Sequence, residues 1–144
     1  MSKIDSPKRY WLMKSEPDAY SWDDLVAEGE GTWDGVRNYR ARNNLMAMQV
    51  GDEAFFYHSN VGLEIVGIAR ISKAGLSDPS DPDGKWAAVK VKPVRKLKNP
   101  VTLKQIKADP VLAEIELIKL SRLSVAVITP EEWDYIIALS NQKR

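Results

Sequence analysis

The chain is 144 residues long, 44% hydrophobic and 28% charged, with a formal net charge of +1. That length supports one hydrophobic core rather than two, and near-neutrality excludes a uniformly basic nucleic-acid coat while leaving local patches open. There is no cysteine, which excludes disulfides, thiolate nucleophiles and cysteine metal sites, and a single histidine, His58, argues against histidine-bound zinc.

Residues 1–8 read as a loose leader without the apolar stretch of a signal peptide, and no run approaches transmembrane length. A cytoplasmic protein with no membrane partner is expected. Arg9–Ser15 is dense in aromatic and apolar residues and reads as a strand covered on both sides, ended by Glu16-Pro17-Asp18. Ser21 and Asp24 have the spacing of a capping box for a short helix to about Glu28, with Gly29 as its stop.

Thr32–Asn43 does not follow a regular apolar period. It gathers Trp33, Asp34, Arg37, Asn38, Tyr39, Arg40, Arg42 and Asn43, so it reads either as a turn whose tryptophan plugs the core or as the start of a binding site. A helix is expected over Tyr39–Met48, with Leu45, Met46 and Met48 buried. Arg40 and Arg42 near its N-terminus oppose the helix dipole.

Glu53–Ser59 and Leu63–Ile71 read as strands around a tight break at Asn60-Val61-Gly62, with Gly67 marking a bulge or a close backbone approach. Ser77–Gly84 is the most loop-like segment. Lys85–Lys92 alternates at its end with Val89 and Val91 inward, and Pro93 implies an edge or a bulge. From Lys85 to Lys107 there are eight basic residues and no acidic one, which is either a solvated face or a phosphate-binding one. Thr102 and Gln105 open a short helix that Asp109-Pro110 stops. Val111–Leu120 is ambiguous and admits another short helix. Ser121–Ile128 reads as a strand, and Thr129-Pro130-Glu131-Glu132 starts a final helix burying Trp133, Ile136 and Ile137. The tail at 141–144 is polar. These elements describe an α+β domain over 9–140, built on a small, mostly antiparallel sheet or barrel.

Enzyme templates find little support. There is no glycine-rich phosphate loop, and His58 and Ser59 are neighbours on a strand, so their side chains diverge. Lys14 and Glu16 share a face and form a conceivable catalytic pair, although ion pairing is the commoner role. A base-binding template is better stocked. Trp11, Trp33, Tyr39 and Tyr57 offer stacking surfaces; Ser15, Asp34, Asn38, Asn43, Ser59 and Asn60 offer edge contacts; Arg37, Arg40, Arg42 and Arg122 offer phosphate contacts.

Three stretches together, Trp11–Pro17, Trp33–Asn43 and Phe56–Asn60, closely resemble the EVE domain family, and Lys92–Val94, Ser121–Val125 and Thr129–Trp133 resemble its later signatures. The resemblance spans 9–140 in order. It implies a PUA-like fold, a curved sheet or barrel decorated by helices, related to the YTH readers of methylated adenine. Lys14-Ser15 and Gly67–Ile71 resemble YTH stretches, and Trp33 falls where YTH domains place their first cage tryptophan.

The resemblance implies a non-catalytic module that captures a modified cytosine or adenine of DNA or RNA, or a free modified nucleoside or nucleotide, without cofactor or metal. It implies Trp33 as the stacking residue, with Lys14, Ser15 and Asp34 lining the pocket. His58, Ser59 and Asn60 would form the opposite rim, Arg122 and Ser124 would close it, and Arg37, Asn38, Tyr39 and Asn43 would position the site or hold backbone. The Ser77–Gly84 loop lacks the second cage aromatic of YTH domains, so N6-methyladenine specificity is not carried over; Trp22, Trp86 and Trp133 are expected in the core. The alternative is a hydrolase of modified nucleosides, similar to ASCH-type relatives, using Lys14 with Glu16 or Glu64.

Overall fold

The computed structural model describes residues 8–142; most of the expected leader and the last two residues lie outside them. Six strands make one sheet: β1 (Tyr10–Ser15), β2 (Gly31–Trp33), β3 (Glu53–His58), β4 (Glu64–Ser77), β5 (Ala87–Thr102) and β6 (Val125–Ile128). Their spatial order is β2-β5-β4-β3-β1-β6. Every pairing is antiparallel except β1 with β3. The sheet is mixed and open, with β2 and β6 at its edges, so the α+β expectation holds in its sheet form and not as a closed barrel.

The helices are α1 (Trp22–Glu28), α2 (Tyr39–Ala47), α3 (Leu103–Ala108), α4 (Glu116–Lys119) and α5 (Pro130–Asn141), with one 3-10 turn at Pro110–Leu112. Three start where a capping box was legible. Ser21, Thr102 and Thr129 each accept from the backbone N–H three residues on, and the side chains of Asp24, Gln105 and Glu132 accept from the cap N–H in return. Gly29 ends α1 in the left-handed conformation, at φ 80°. None of the described helices is long and apolar enough to cross a membrane.

Several boundaries differ from the sequence reading. β2 has only three residues and no alternating run to announce it. β4 and β5 extend well past their expected ends because they pair along most of their length, absorbing irregularities as register shifts. Pro93 sits inside β5 without breaking it. β2 pairs only with Val89–Val91, so no strand on that side needs the missing N–H, and a register shift lies opposite at Ile68/Ala69. Met46 is 61% exposed rather than buried, because α2 ends at Ala47 and its inner face is carried by Ala41 and Leu45. Val127 faces outward and Ile128 inward.

One continuous cluster of buried side chains runs between sheet and helices. Trp133 stacks on Phe55 at 3.9 Å and on Tyr10 at 4.4 Å, and Trp22 meets Phe56 edge-on at 5.6 Å. Both tryptophans are core residues, as expected. Gly67 is the close approach that the sequence suggested: a Cβ there would lie 2.6 Å from the Trp22 ring. Gly67→Ala is therefore expected to lower stability by about 1–3 kcal/mol through overpacking. A chemical-denaturation midpoint equal to that of the parent chain would show that Trp22 yields freely and the contact does not matter.

Candidate nucleic-acid interface

The end of β1 and the short edge strand β2 are separated by three strands in the sheet, yet both line one cavity of about 240 Å³. The sheet must curl to bring them together. Lys14 and Ser15 come from β1, Thr32, Trp33 and Asp34 from β2 and its exit, and Tyr20 from the turn after β1. That turn folds back through Tyr20 N–H to Glu16 O at 2.8 Å, and the Ser15 hydroxyl donates to Tyr20 O at 2.6 Å. Tyr20 was missed in the sequence, and Thr32 fell inside the stretch read as a possible site without being named a site residue; the Pro17 turn directly behind Lys14-Ser15 was the signal for Tyr20.

Trp33 is both core plug and wall. Only 7% of it is exposed, and its ring meets Phe56 edge-on at 5.5 Å and Tyr20 at 6.4 Å. Tyr20 is held in turn by its hydroxyl on the Glu28 carboxylate, and Gly31 leaves room for its ring, since any Cβ there would collide with it. Burial, that hydrogen bond and the carboxylates of Glu28 and Asp24 hold the Tyr20 phenol protonated throughout the working range.

The polar groups of the cavity have distinct commitments. Lys14 donates through Nζ to Ser121 O at 2.8 Å, and its backbone N–H donates to Ser124 O at 2.9 Å. Burial pushes its ammonium pKa down. No ion pair is made by Lys14 among the described residues, so the Lys14–Glu16 and Lys14–Glu64 pairs required for hydrolysis are not formed. Asp34 is exposed at the mouth and accepts no hydrogen bond from the described protein groups, which leaves a carboxylate available to a ligand.

The remaining predicted site residues divide. His58 and Ser59 lie behind Ser15: Ser59 N–H donates to Ser15 O at 2.9 Å, while His58 Nε2 accepts from Trp22 N–H at 3.1 Å and so faces α1. Burial lowers the His58 pKa against the opposing pull of Glu64 and Asp23, which favours the neutral ring that this acceptor role needs. Asn60 adopts φ 71° in the β3–β4 loop and reaches Glu16 at 3.3 Å. These three support the wall of the cavity and do not line it. Arg122 lies in a neighbouring cleft of about 330 Å³ with Asn38 and Arg40, and Lys14 stands between the two through its bond to Ser121.

Asn38 caps α2, accepting from Ala41 N–H at 2.9 Å, and Asn43 is an exposed acceptor for Arg42. Arg37 is a positioning residue. It pairs with the buried Asp78 at 2.9 Å and bonds Ser80, while Gly35 N–H donates to the same carboxylate at 2.8 Å. Burial alone would raise the Asp78 pKa; Arg37, Ser80 and Gly35 outweigh it and hold the carboxyl well below the usual range.

Two stacking candidates are unavailable. Trp11 is buried with its indole N–H donated to Asp52 at 3.0 Å, and Tyr57 is buried as well. A wider groove of about 580 Å³ along β6 contains Trp11 alone among the proposed stacking residues. Trp86, expected in the core, is instead half-buried at the surface, 5.0 Å from the ring of Tyr39.

Comparison with known proteins agrees with this frame. The EVE domain family model matches residues 9–139. Mouse thymocyte nuclear protein 1 is 40% identical, the match covering 90% of this chain and 73% of that protein. The solution structure of a Rhodopseudomonas palustris protein is 49% identical with a TM-score of 0.88, covering 92% of each chain. A crystal structure of human THYN1 protein in complex with 5-methylcytosine containing DNA is 35% identical with a TM-score of 0.88, covering 95% of this chain and 100% of that one. An ASCH protein from Zymomonas mobilis, 13% identical with a TM-score of 0.56 over 93% of this chain and 97% of that one, shares the fold alone. With six ordered motifs, the sheet that they build and a family match over nearly its whole length, the chain belongs to the EVE domain family.

Proposed function

We propose that the protein is a non-catalytic reader that takes one 5-substituted cytosine of DNA, flipped out of its helix, into the Trp33 cavity. The observation that carries this is the cavity itself. It sets an uncommitted carboxylate, Asp34, and the lysine Lys14 beside the aromatic walls of Trp33 and Tyr20. Its volume of about 240 Å³ lies below the ~300–1,000 Å³ of drug-sized sites, which suits one base rather than two.

Cytosine presents an amino donor at N4 and acceptors at N3 and O2. A carboxylate accepts from N4, which a thymine carbonyl at the same place cannot supply. The ammonium of Lys14 serves an acceptor on the ring, and the peptide groups that edge strand β2 leaves unpaired on its outer side supply further contacts. A methyl at C5 gains by meeting an aromatic wall instead of water. The human relative crystallised with 5-methylcytosine DNA supports this choice of base. RNA carrying the same base, or the free nucleoside, fits the same chemistry and is an arm of the test.

Binding of matched DNA duplexes with and without one 5-methylcytosine, with RNA and nucleoside counterparts, decides the matter. The expected result is tighter binding of methylated DNA, with the affinity for that DNA reduced about five- to a hundredfold in Asp34→Ala, the range for losing one good base-edge contact. Asp34 is exposed, so this variant retains the fold. Equal affinity for methylated and plain oligonucleotides at low salt sinks the reading.

A further inference from the structure

Six residues along the chain from Trp33 begins an exposed cluster that the base pocket does not use. Tyr39, the first residue of α2, is 52% exposed and packs on Trp86 with ring centroids 5.0 Å apart. Three cations lie over these two rings. Arg42 sits 4.9 Å from the Tyr39 centroid, Lys85 5.2 Å from the same ring, and Arg37 5.4 Å from Trp86. Cation–π packing explains why each can rest there, but it does not neutralise them. Arg37 spends its charge on Asp78, whereas Arg42 and Lys85 make no ion pair among the described residues. Two cations that make no ion pair among the described residues are therefore held together on a half-exposed aromatic surface.

The surface is also rigidly placed. Asp81 accepts from the backbone N–H groups of Lys85 at 2.8 Å and Trp86 at 2.9 Å, which fixes both residues. Asp78 fixes Gly35 and Arg37 on the other side. Trp33 and Tyr39 are six residues apart, so cavity and cluster lie within about 20 Å of each other along the chain. That is no more than roughly six steps of a B-form strand.

We propose, resting on the base-reading function, that Tyr39 and Trp86 with Arg42 and Lys85 form a strand platform. Arg42 and Lys85 hold phosphates flanking the captured base, and the exposed face of Tyr39 stacks an adjacent unpaired base. The platform is indifferent to sequence and to methylation, because every base has a π-face and every nucleotide a phosphate. Discrimination then belongs to the cavity and strand affinity to the platform.

The test titrates methylated and plain DNA against the parent chain, Tyr39→Ala and Arg42→Gln/Lys85→Gln across a salt series. Tyr39→Ala is expected to weaken both DNAs about tenfold while leaving their affinity ratio intact. Arg42→Gln/Lys85→Gln is expected to lower the slope of log affinity against log salt by about two. Both variants alter exposed or half-exposed side chains, and circular dichroism confirms folding before titration. Unchanged affinity in Tyr39→Ala together with an unchanged salt slope in the double variant overturns the platform. Equal affinity of the parent chain for the two DNAs overturns the cavity reading alone, since the platform predicts losses on either DNA. No DNA binding by the parent chain overturns both.

Discussion

Asp78→Ala is expected to lower stability by about 2–4 kcal/mol and to weaken binding of both methylated and plain DNA. The buried carboxylate accepts from Gly35 N–H, Arg37, and the N–H and hydroxyl of Ser80. Removing it orphans several donors at once, each costing about 1–3 kcal/mol where water does not reach it. The half-exposed guanidinium of Arg37 rehydrates, so the loss stays below the sum. Its depressed pKa gives the same contact a pH signature. The stabilisation is fully present above the unfolded aspartate value near ~4 and is lost as pH falls toward the lower folded value. Denaturation midpoints of the parent chain should therefore fall on acidification below about pH 4, with a shallower fall in Asp78→Ala. Parallel acid limbs would show that Asp78 is not the titrating contact.

Trp33→Ala should cost more, about 3–5 kcal/mol, because the indole packs on Phe56 and Tyr20 and a large void would replace it. Against a total stability of about 5–15 kcal/mol that is enough to blur binding with unfolding. Trp33→Leu separates the two, keeping apolar volume while removing the π-surface. It is expected to stay folded and to bind methylated DNA about tenfold or more weakly, as a stacking contact is worth ~1–3 kcal/mol per base. A folded Trp33→Leu protein with the parent affinity would remove Trp33 from the site.

The sequence announced these features unevenly. The caps at Ser21, Thr102 and Thr129 were legible because a cap is a local event, closed within four residues. Gly67 was legible as a close approach, but Trp22 as its partner was not, because that contact is tertiary. β2 escaped notice since three residues carry no period, and its pairing with β5 is decided by Val89 and Val91 almost sixty residues away. The cavity was half visible. Lys14, Ser15, Trp33 and Asp34 were named from their motifs, but only the curl of the sheet brings them together.

His58, Ser59 and Asn60 belong to the same motif set and act one layer behind, because β3 runs parallel to β1 and presents its end to Ser15. Arg37 illustrates the limit most clearly. An exposed-looking arginine beside a tryptophan reads as a ligand contact, yet its partner Asp78 lies in the loop chosen for lacking an aromatic. That loop contributes a buried carboxylate.

The most direct measurement is a residue-resolved NMR titration of the isotopically labelled chain with a short duplex carrying one 5-methylcytosine. Perturbations specific to the methylated duplex are expected at Lys14, Ser15, Tyr20 and Thr32–Asp34 and at the Trp33 indole N–H, while shifts at Tyr39, Arg42 and Lys85 appear with either duplex. Methyl-specific shifts that avoid the Trp33 cavity, or identical patterns with both duplexes, would contradict it.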